Sequence, residues 1–503
     1  MSALWPYRTT KSTRPSAGRT DTVPRVPKGA RTWLTPAAWV AAVSALLLLV
    51  FPLGFPNYDT IYALVWGREL AHGHSPDYGA ALPPTPHPLA DLLGLVTTPL
   101  GDGAITVTMI VAYVSLALCG YLVYRLGTLW FDRWIGALAA AIVLTRAPFL
   151  SNGLRAYVDL PYIALCLGAL TIEAKRPRAG WPVLALLALA GLLRPEAWGF
   201  SIAYWLWLAY TGDRSDLSRV KRALFPLAAL ALAAPLLWVF FDGITTGNFL
   251  YSLTGTQETV STLDRHTGPV DVVIYGPRAL GEVLQWPGIV GALAGVVLGY
   301  LYLRRRSLLG LAAAALALLG FAFLGAAGLA IIARYTMLAA AILSIFVAVA
   351  LLGWRLLEPS HRARRPWQIV AAAVALMFVI WLPNQWDLDS RVDTDLTDQA
   401  GIEADLTDLV EADAFEPLCG RIAVPNHRAV PRLAFGLGVK PTEIVSASEE
   451  GIPRRGYFVA PASPFVIHNF ILDPNDPTRI SPKAPRGFRE IDRNESWRAY
   501  RRC

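Results

Sequence analysis

Residues 34–70 read "LTPAAWVAAVSALLLLVFPLGFPNYDTIYALVWGREL". The run over 34–56 carries no charge and is long enough to cross a bilayer, which takes about 20 apolar residues. It gives way at once to Asp59, then to Tyr62, Trp66 and the pair Arg68 and Glu69. A chain that places a carboxylate and aromatic rings where it leaves a membrane is presenting polar chemistry at the interface. The first span is too long for the apolar region of a cleaved signal peptide and reads as a retained anchor. The leader before it, 1–32, is basic and rich in Ser, Thr, Pro and Arg, which predicts disorder.

The same pattern continues along the 503 residues. Hydrophobic residues make up 54% and charged residues 16%, with a mean hydropathy of +0.42, more apolar than a soluble domain sustains. Spans are predicted at 34–56, 104–124, 134–150, 157–173, 181–194, 198–211, 223–242, 287–303, 308–331, 336–354 and 367–383. Only "RPEA" separates the fifth from the sixth, and merging them would reverse the topology that follows. Charge decides the point, because Lys and Arg stay on the cytoplasmic side of short loops. With the N-terminus inside, the inner segments hold 23 of the 45 basic residues, and the outer connections between spans hold seven. The net charge of +8 follows from topology, and no nucleic-acid partner is needed to explain it.

The expected fold is therefore mainly α: a polytopic helical membrane protein with about eleven transmembrane helices, multi-pass in the cell membrane, with a small exported α/β domain at its C-terminus. The domains are a cytoplasmic leader at 1–32, a transmembrane domain at 33–383 with long outer loops at 57–103 and 243–286, and an extracytoplasmic domain at 384–503. That last domain opens on an acidic stretch, 387–416, with eleven Asp and Glu against one Arg. "RIAVPNHRAVPRLAFGLGVKPTEIVSA" then alternates strand, helix and strand patterns. Cys119 and Cys166 fall inside spans and read as packing residues. Cys419 and Cys503 flank the exported module, where oxidation is permitted, and are predicted to form a disulfide. No internal repeat is visible.

The long loops face outward, so function is expected there. In the first, helical spacing sets Asp59, Tyr62 and Trp66 on one face, a carboxylate that can take a proton from a hydroxyl beside rings that suit the apolar faces of sugars. The plainer reading makes Asp59 a helix cap and the rings an interfacial belt. "HPLADLL" restarts a helix after a Pro-rich stretch and puts His87 at its entry, to bond a substrate or to cap. Charges then recur at the outer edges of spans: Arg155 and Asp159 in "LRAYVDLPY", Arg194 and Glu196 in "LLRPEAW", and Arg334 with Tyr335 in "IIARYTM". Charges at such depth are costly unless paired or facing a wet cavity. Arg155 and Asp159, four apart, are the expected structural salt bridge. Arg334 has no acid near it in sequence and suits a phosphate. The loop "FFDGITTGNFLYSLTGTQETVSTLDRHTG" is rich in Gly, Thr and Ser and reads as irregular. There is no Gly-rich phosphate loop, no Cys/His metal spacing and no serine nucleophile elbow.

Over residues 34–383 this arrangement resembles the GT-C superfamily of polyprenyl-phosphate-sugar-dependent glycosyltransferases, particularly the branch with the protein O-mannosyltransferases and the aminoarabinose transferase of lipid A. The resemblance rests on the acid after the first span ("NYDT"), on "HPLADLLG", similar to the His-Pro-Pro-Leu-Gly stretch of the mannosyltransferase first loop, and on eleven spans followed by an exported domain. It implies that Asp59 occupies the position of the first-loop catalytic acid and that Arg334 holds the donor phosphate. From the spacing and edge charges above, Tyr62, Trp66, His87, Arg155, Asp159, Arg194, Glu196 and Tyr335 are the candidate substrate-binding residues. The chain departs from the mannosyltransferases in having one acid where they have an adjacent Asp-Glu pair, and Leu89 where they have a second Pro. The acceptor, a glycan, a lipid or a protein, stays open.

The expected activity is inverting transfer of a hexose or pentose from a polyprenyl-phosphate donor to an acceptor hydroxyl, with Asp59 as general base. No cofactor is expected. Some branches of the superfamily use a divalent ion, for which a single Asp59 makes a poor cage. Two other classes fit parts of the sequence: a flippase for a lipid-linked precursor, which would show an inward-open route, and a noncatalytic anchor for residues 384–503, which would not need Asp59 and Arg334 in one cavity.

Overall fold

A computed structural model of the chain describes residues 34–51, 54–211, 217–412, 414–415, 419–471 and 482–503. The basic leader lies outside the described residues, as does part of the connection 212–222. Among the described residues fifteen α-helices precede the sheet: α1 Leu34–Val50, α2 Tyr58–Ala71, α3 Pro88–Thr97, α4 Gly103–Trp130, α5 Arg133–Leu144, α6 Ala147–Leu154, α7 Asp159–Lys175, α8 Trp181–Gly191, α9 Glu196–Thr211, α10 Leu217–Thr246, α11 Tyr251–Thr262, α12 Pro269–Tyr302, α13 Arg304–Ala326, α14 Met337–Leu352 and α15 Arg364–Glu411. An apolar helix lies on each of the eleven expected stretches. Among the described residues six helices are long and apolar enough to cross a membrane, or seven if α5 and α6, bent by 62°, count as one span.

The core is built around α14, buried along Met337–Ala350 and packed by α12, α5, α13 and α15. α12 meets it at Gly295, where a Cβ would stand 1.8 Å from the carbonyl oxygen of Phe346, so a side chain there would force the helices apart. The outward faces stay apolar, with Phe240, Leu293, Phe323, Ile369 and Val379 exposed, as helices in contact with lipid require. Arg146 is buried at the α5–α6 bend. Its Nη1 donates to the carbonyl of Leu284 at 3.3 Å, where α12 breaks its helical conformation at Gln285 (φ 60°). This edge charge thus ties the α5–α6 bend to the break in α12.

Two local expectations are revised. The connection 243–286 is not irregular: α11 and the start of α12 occupy much of it, delimited by Gly247 and Gly268, both at positive φ. Also, α15 runs without interruption through 383 and 384, with Pro383 inside it. At 1.5 Å per residue its 48 residues reach about 70 Å, so the acidic stretch is the continuation of a helix.

Beyond α15 come β1 Ile422–Val424, α16 Val430–Leu437, β2 Ile444–Ser446, β3 Gly456–Pro461, β4 Arg489–Arg493 and β5 Trp497–Arg502. The sheet order is β2-β1-β3-β5-β4. β1 runs parallel to β2 and β3, and β5 antiparallel to β3 and β4. Cys419 and Cys503 are disulfide-bonded, closing the unit's first segment onto its last. The sheet side shares a core with α2: Ile61, Tyr62, Val65 and Trp66 pack with Leu406, Leu433, Ala434 and Trp497.

Candidate functional site

Asn57 caps α2: its Oδ1 accepts from the backbone N–H of Asp59 at 2.8 Å and of Thr60 at 3.3 Å. Its Nδ2 donates to the carbonyl of Arg155 at 2.8 Å, and Thr60 Oγ1 donates to the carbonyl of Ala156 at 2.8 Å. The entry of α2 is therefore pinned to the α6–α7 connection. Capping is done by Asn57, which leaves the Asp59 carboxylate at the positive end of the helix free of the capping role. It meets Arg334, Nη1 to Oδ2 at 3.2 Å. The Arg334 guanidinium also lies 5.0 Å from the ring centroid of Tyr157 and 5.4 Å from that of Tyr335. Its Nε is buried without a partner among the described residues.

Arg194, between α8 and α9, is buried and forms ion pairs with Asp159 and with Glu196, the latter from Nε to Oε1 at 3.1 Å. Its guanidinium lies 3.9 Å from the Tyr335 centroid. Tyr335 therefore links the two arginine centres. His87 precedes Pro88 and makes no capping hydrogen bond. Burial pushes its imidazole down to about 4, with Arg194 and Arg334 acting in the same direction and Asp59 and Asp159 against it. It is neutral at pH 7, able to accept at one nitrogen and donate from the other.

These side chains line one cavity of about 1300 Å³. Its polar end holds Asp59, His87, Asp159, Arg194, Glu196, Arg334 and Tyr335; another wall is apolar, made by Phe200 and Ile202 of α9 and Leu316, Leu319 and Phe323 of α13. Ile202, Leu319 and Phe323 on this wall are exposed rather than packed. The cavity therefore joins a charged centre to an accessible apolar wall of the kind that suits a lipid tail. Among the described residues no three His, Cys, Asp or Glu are grouped to hold a metal ion.

Three expected site residues stand elsewhere. Tyr62 and Trp66 are 0% and 1% exposed and belong to the core shared with the C-terminal unit, where Trp66 Nε1 donates to the carbonyl of Asp77 at 3.0 Å. The spacing from Asp59 is helical as expected, but that face of α2 is covered, and only its first turn reaches the cavity. Arg155 does not line the cavity and does not pair with Asp159. α6 ends at Leu154 and α7 begins at Asp159, with Ala156 at φ 53° between them, so four-residue helical spacing does not apply. Arg155 Nε bonds Gln399 Oε1 at 3.2 Å and Nη1 bonds Ser151. Arg334, unpaired in sequence, is paired across 275 positions.

The cavity also contains residues that the sequence did not single out: Tyr157, Trp198, Trp238, Asp242 and Ser252, and, from the turn before α16, His427 and Arg428. Asp242, in the otherwise apolar "FFDG" at the end of α10, was a visible signal of the same kind as Arg334. The Trp residues carried none, because indoles abound in apolar helices.

No family model and no curated protein matches the sequence. Among solved structures the chain is similar to ArnT from Cupriavidus metallidurans bound to undecaprenyl phosphate, with a TM-score of 0.55 and 14% identity over 94% of this chain and 98% of that one. It is likewise similar to the same protein in the apo state, at 0.51 and 14% over 93% and 97%. The apo form of the Archaeoglobus fulgidus oligosaccharyltransferase gives a TM-score of 0.48 and 12% identity over 85% of this chain and 69% of that one. Over nearly its whole length the chain has the fold of ArnT.

Proposed function

We propose that the protein is a membrane glycosyltransferase that moves a sugar from a polyprenyl-phosphate donor to an acceptor hydroxyl, with inversion and on the outer face. The observation that carries this reading is the Asp59–Arg334 pair in a cavity with an apolar wall. Asp59 takes the proton of the acceptor hydroxyl as its oxygen bonds to the anomeric carbon; the bond from that carbon to the phosphate oxygen breaks, and its electron pair leaves with the lipid phosphate. Charge grows on the phosphate in the transition state, where a planar cation already in place stabilises it most. Arg334 meets Asp59 through one nitrogen and has Nε to offer a phosphate. Undecaprenyl phosphate bound to ArnT supports a lipid-phosphate donor for this fold. A mere anchor for the C-terminal unit would need no such cavity.

The orientation proposed with this activity has eleven crossings, a cytoplasmic N-terminus and the 384–503 segment outside. The acceptor is a glycan, lipid or protein hydroxyl. Comparing transfer with and without EDTA decides whether a divalent ion takes part.

The decisive experiment is Asp59→Asn. Asparagine keeps the size of the side chain, and Asn57 keeps the cap, so expression and thermal stability should stay at wild-type levels. Turnover should fall by about two to four orders of magnitude, the usual worth of a general base. A well-folded Asp59→Asn protein with near-normal transfer from a labelled polyprenyl-phosphate sugar would sink the mechanism.

A further inference from the structure

Beside the charged centre the cavity has an aromatic corner. Trp198 of α9 and Trp238 of α10 stand with ring centroids 5.6 Å apart and planes at 79°, and His87 meets Trp238 at 5.8 Å and 83°. Both indole N–H groups are engaged, Trp198 with the carbonyl of Gly191 at 2.8 Å and Trp238 with Ser252 Oγ at 2.9 Å. Trp238 is only 3% exposed and backs the corner, so the carbon surface a ligand can reach here is chiefly that of Trp198, which is half-buried. At the edge of the corner lies Asp242, 3% exposed. Its Oδ2 accepts from the backbone N–H of Ser252 and its Oδ1 from Ser252 Oγ, both at 2.8 Å. Each carboxylate oxygen can accept a second hydrogen bond. On the same cavity wall Thr85 and Thr256 join their hydroxyls at 2.5 Å.

We propose that this corner, made by Trp198, Trp238 and Asp242, is the sugar subsite of the cavity and selects a neutral, hydroxyl-rich sugar ring; the proposal rests on the transfer reading above. A pyranose or furanose has a C–H face that packs on an indole and hydroxyls at its rim that donate to a carboxylate. A ring seated here has its reacting end on the His87 side, towards Asp59 and Arg334. Asp242 sets the selectivity: a buried carboxylate rewards a hydroxyl donor and repels a sugar that carries its own carboxylate. The aromatic platform that spacing assigned to Tyr62 and Trp66 is supplied here by Trp198 and Trp238.

The test uses the full chain in lipid nanodiscs and three probes that compete with radiolabelled undecaprenyl phosphate: unlabelled undecaprenyl phosphate, undecaprenyl-phosphate glucose and undecaprenyl-phosphate glucuronate. Wild type should bind the glucose lipid more tightly than the bare lipid phosphate by a factor on the order of 10, and the glucuronate lipid no more tightly than the bare one. Trp198→Leu, Trp238→Leu and Asp242→Asn should each bring the glucose-to-bare ratio to within about twofold of unity, and Trp238→Phe, which keeps a ring face, should retain part of it. Thermal unfolding of each variant separates a lost subsite from a lost fold. Equal wild-type affinity for the bare and glucose lipids, or a ratio unchanged in folded Trp198→Leu and Asp242→Asn, overturns the subsite alone. No binding of any lipid phosphate by wild type overturns the transfer reading itself.

Discussion

In the mechanism proposed above Arg334 is shared between a base and a leaving group; such a guanidinium has to satisfy both at once, and a planar fork with separated donors does so. Arg334 meets Asp59 through Nη1 and keeps Nε buried and unpartnered among the described residues. Lysine at this position would keep the charge but offer it from one point, so it could follow Asp59 or the phosphate and not hold both. Arg334→Lys should therefore raise the donor KM and lower kcat together, by roughly 10- to 100-fold in kcat/KM, with little change in thermal stability. Steady-state kinetics with varied donor at saturating acceptor reads this directly. Donor dependence unchanged in Arg334→Ala would remove the residue from the site. Tyr335 carries the same logic one step further: stacked near both Arg194 and Arg334, it links the ion-paired centre of Asp159 and Glu196 to the Asp59–Arg334 pair.

At the scale of elements, the site depends on how closely two helices cross. Asp59 is in the first turn of α2 and His87 immediately precedes α3, so the distance between these helices sets the distance between the two side chains. They meet at Gly67 and Gly94, where added Cβ atoms would lie 2.3 Å from Leu95 N and 2.4 Å from the carbonyl oxygen of Ala63. Both contacts are with backbone, which cannot step aside as a flexible side chain would. Gly94→Ala should cost about 1–3 kcal/mol of stability and depress turnover through the displaced N-termini; calorimetry and turnover of one preparation check both. The elements themselves were largely legible, because the hydropathy that marks an apolar helix is a local property of the chain. So was the irregular stretch before Pro88, with its prolines. The pairing of Arg194 with Asp159, the burial of Tyr62 and Trp66 and the corner of Trp198, Trp238 and Asp242 were not, since each depends on which face of a helix another element covers. Arg155 and Asp159 show the failure sharply: a four-residue spacing means contact only where the helix is continuous.

For the molecule as a whole, the question is how firmly the C-terminal unit is held over the cavity, because its His427 and Arg428 form part of the wall. Arg68 of α2 donates to the carbonyls of Ala434, Phe435 and Val439 at 3.0, 2.9 and 3.0 Å, closing off the end of α16. Asp77 accepts from the backbone N–H of Thr442 at 3.0 Å. On the other flank Glu403 of α15 meets Arg432 of α16 at 3.3 Å in a setting where the carboxylate is 9% exposed. Burial pushes the Glu403 carboxyl up to about 7, with Arg432 pulling the other way. In the unfolded chain this group titrates near 4.3. The folded form thus holds its proton more tightly, and the contribution to stability is complete below the unfolded value and is lost as pH rises through about 7. The C-terminal unit should consequently unfold at a lower temperature at pH 8 than at pH 5, and Glu403→Gln, which stays neutral throughout, should flatten that dependence. The comparison is the difference between wild type and variant across the pH range, so that other titrating groups cancel. Parallel pH profiles for the two proteins would show that Glu403 titrates normally and that the α15–α16 contact is indifferent to its charge.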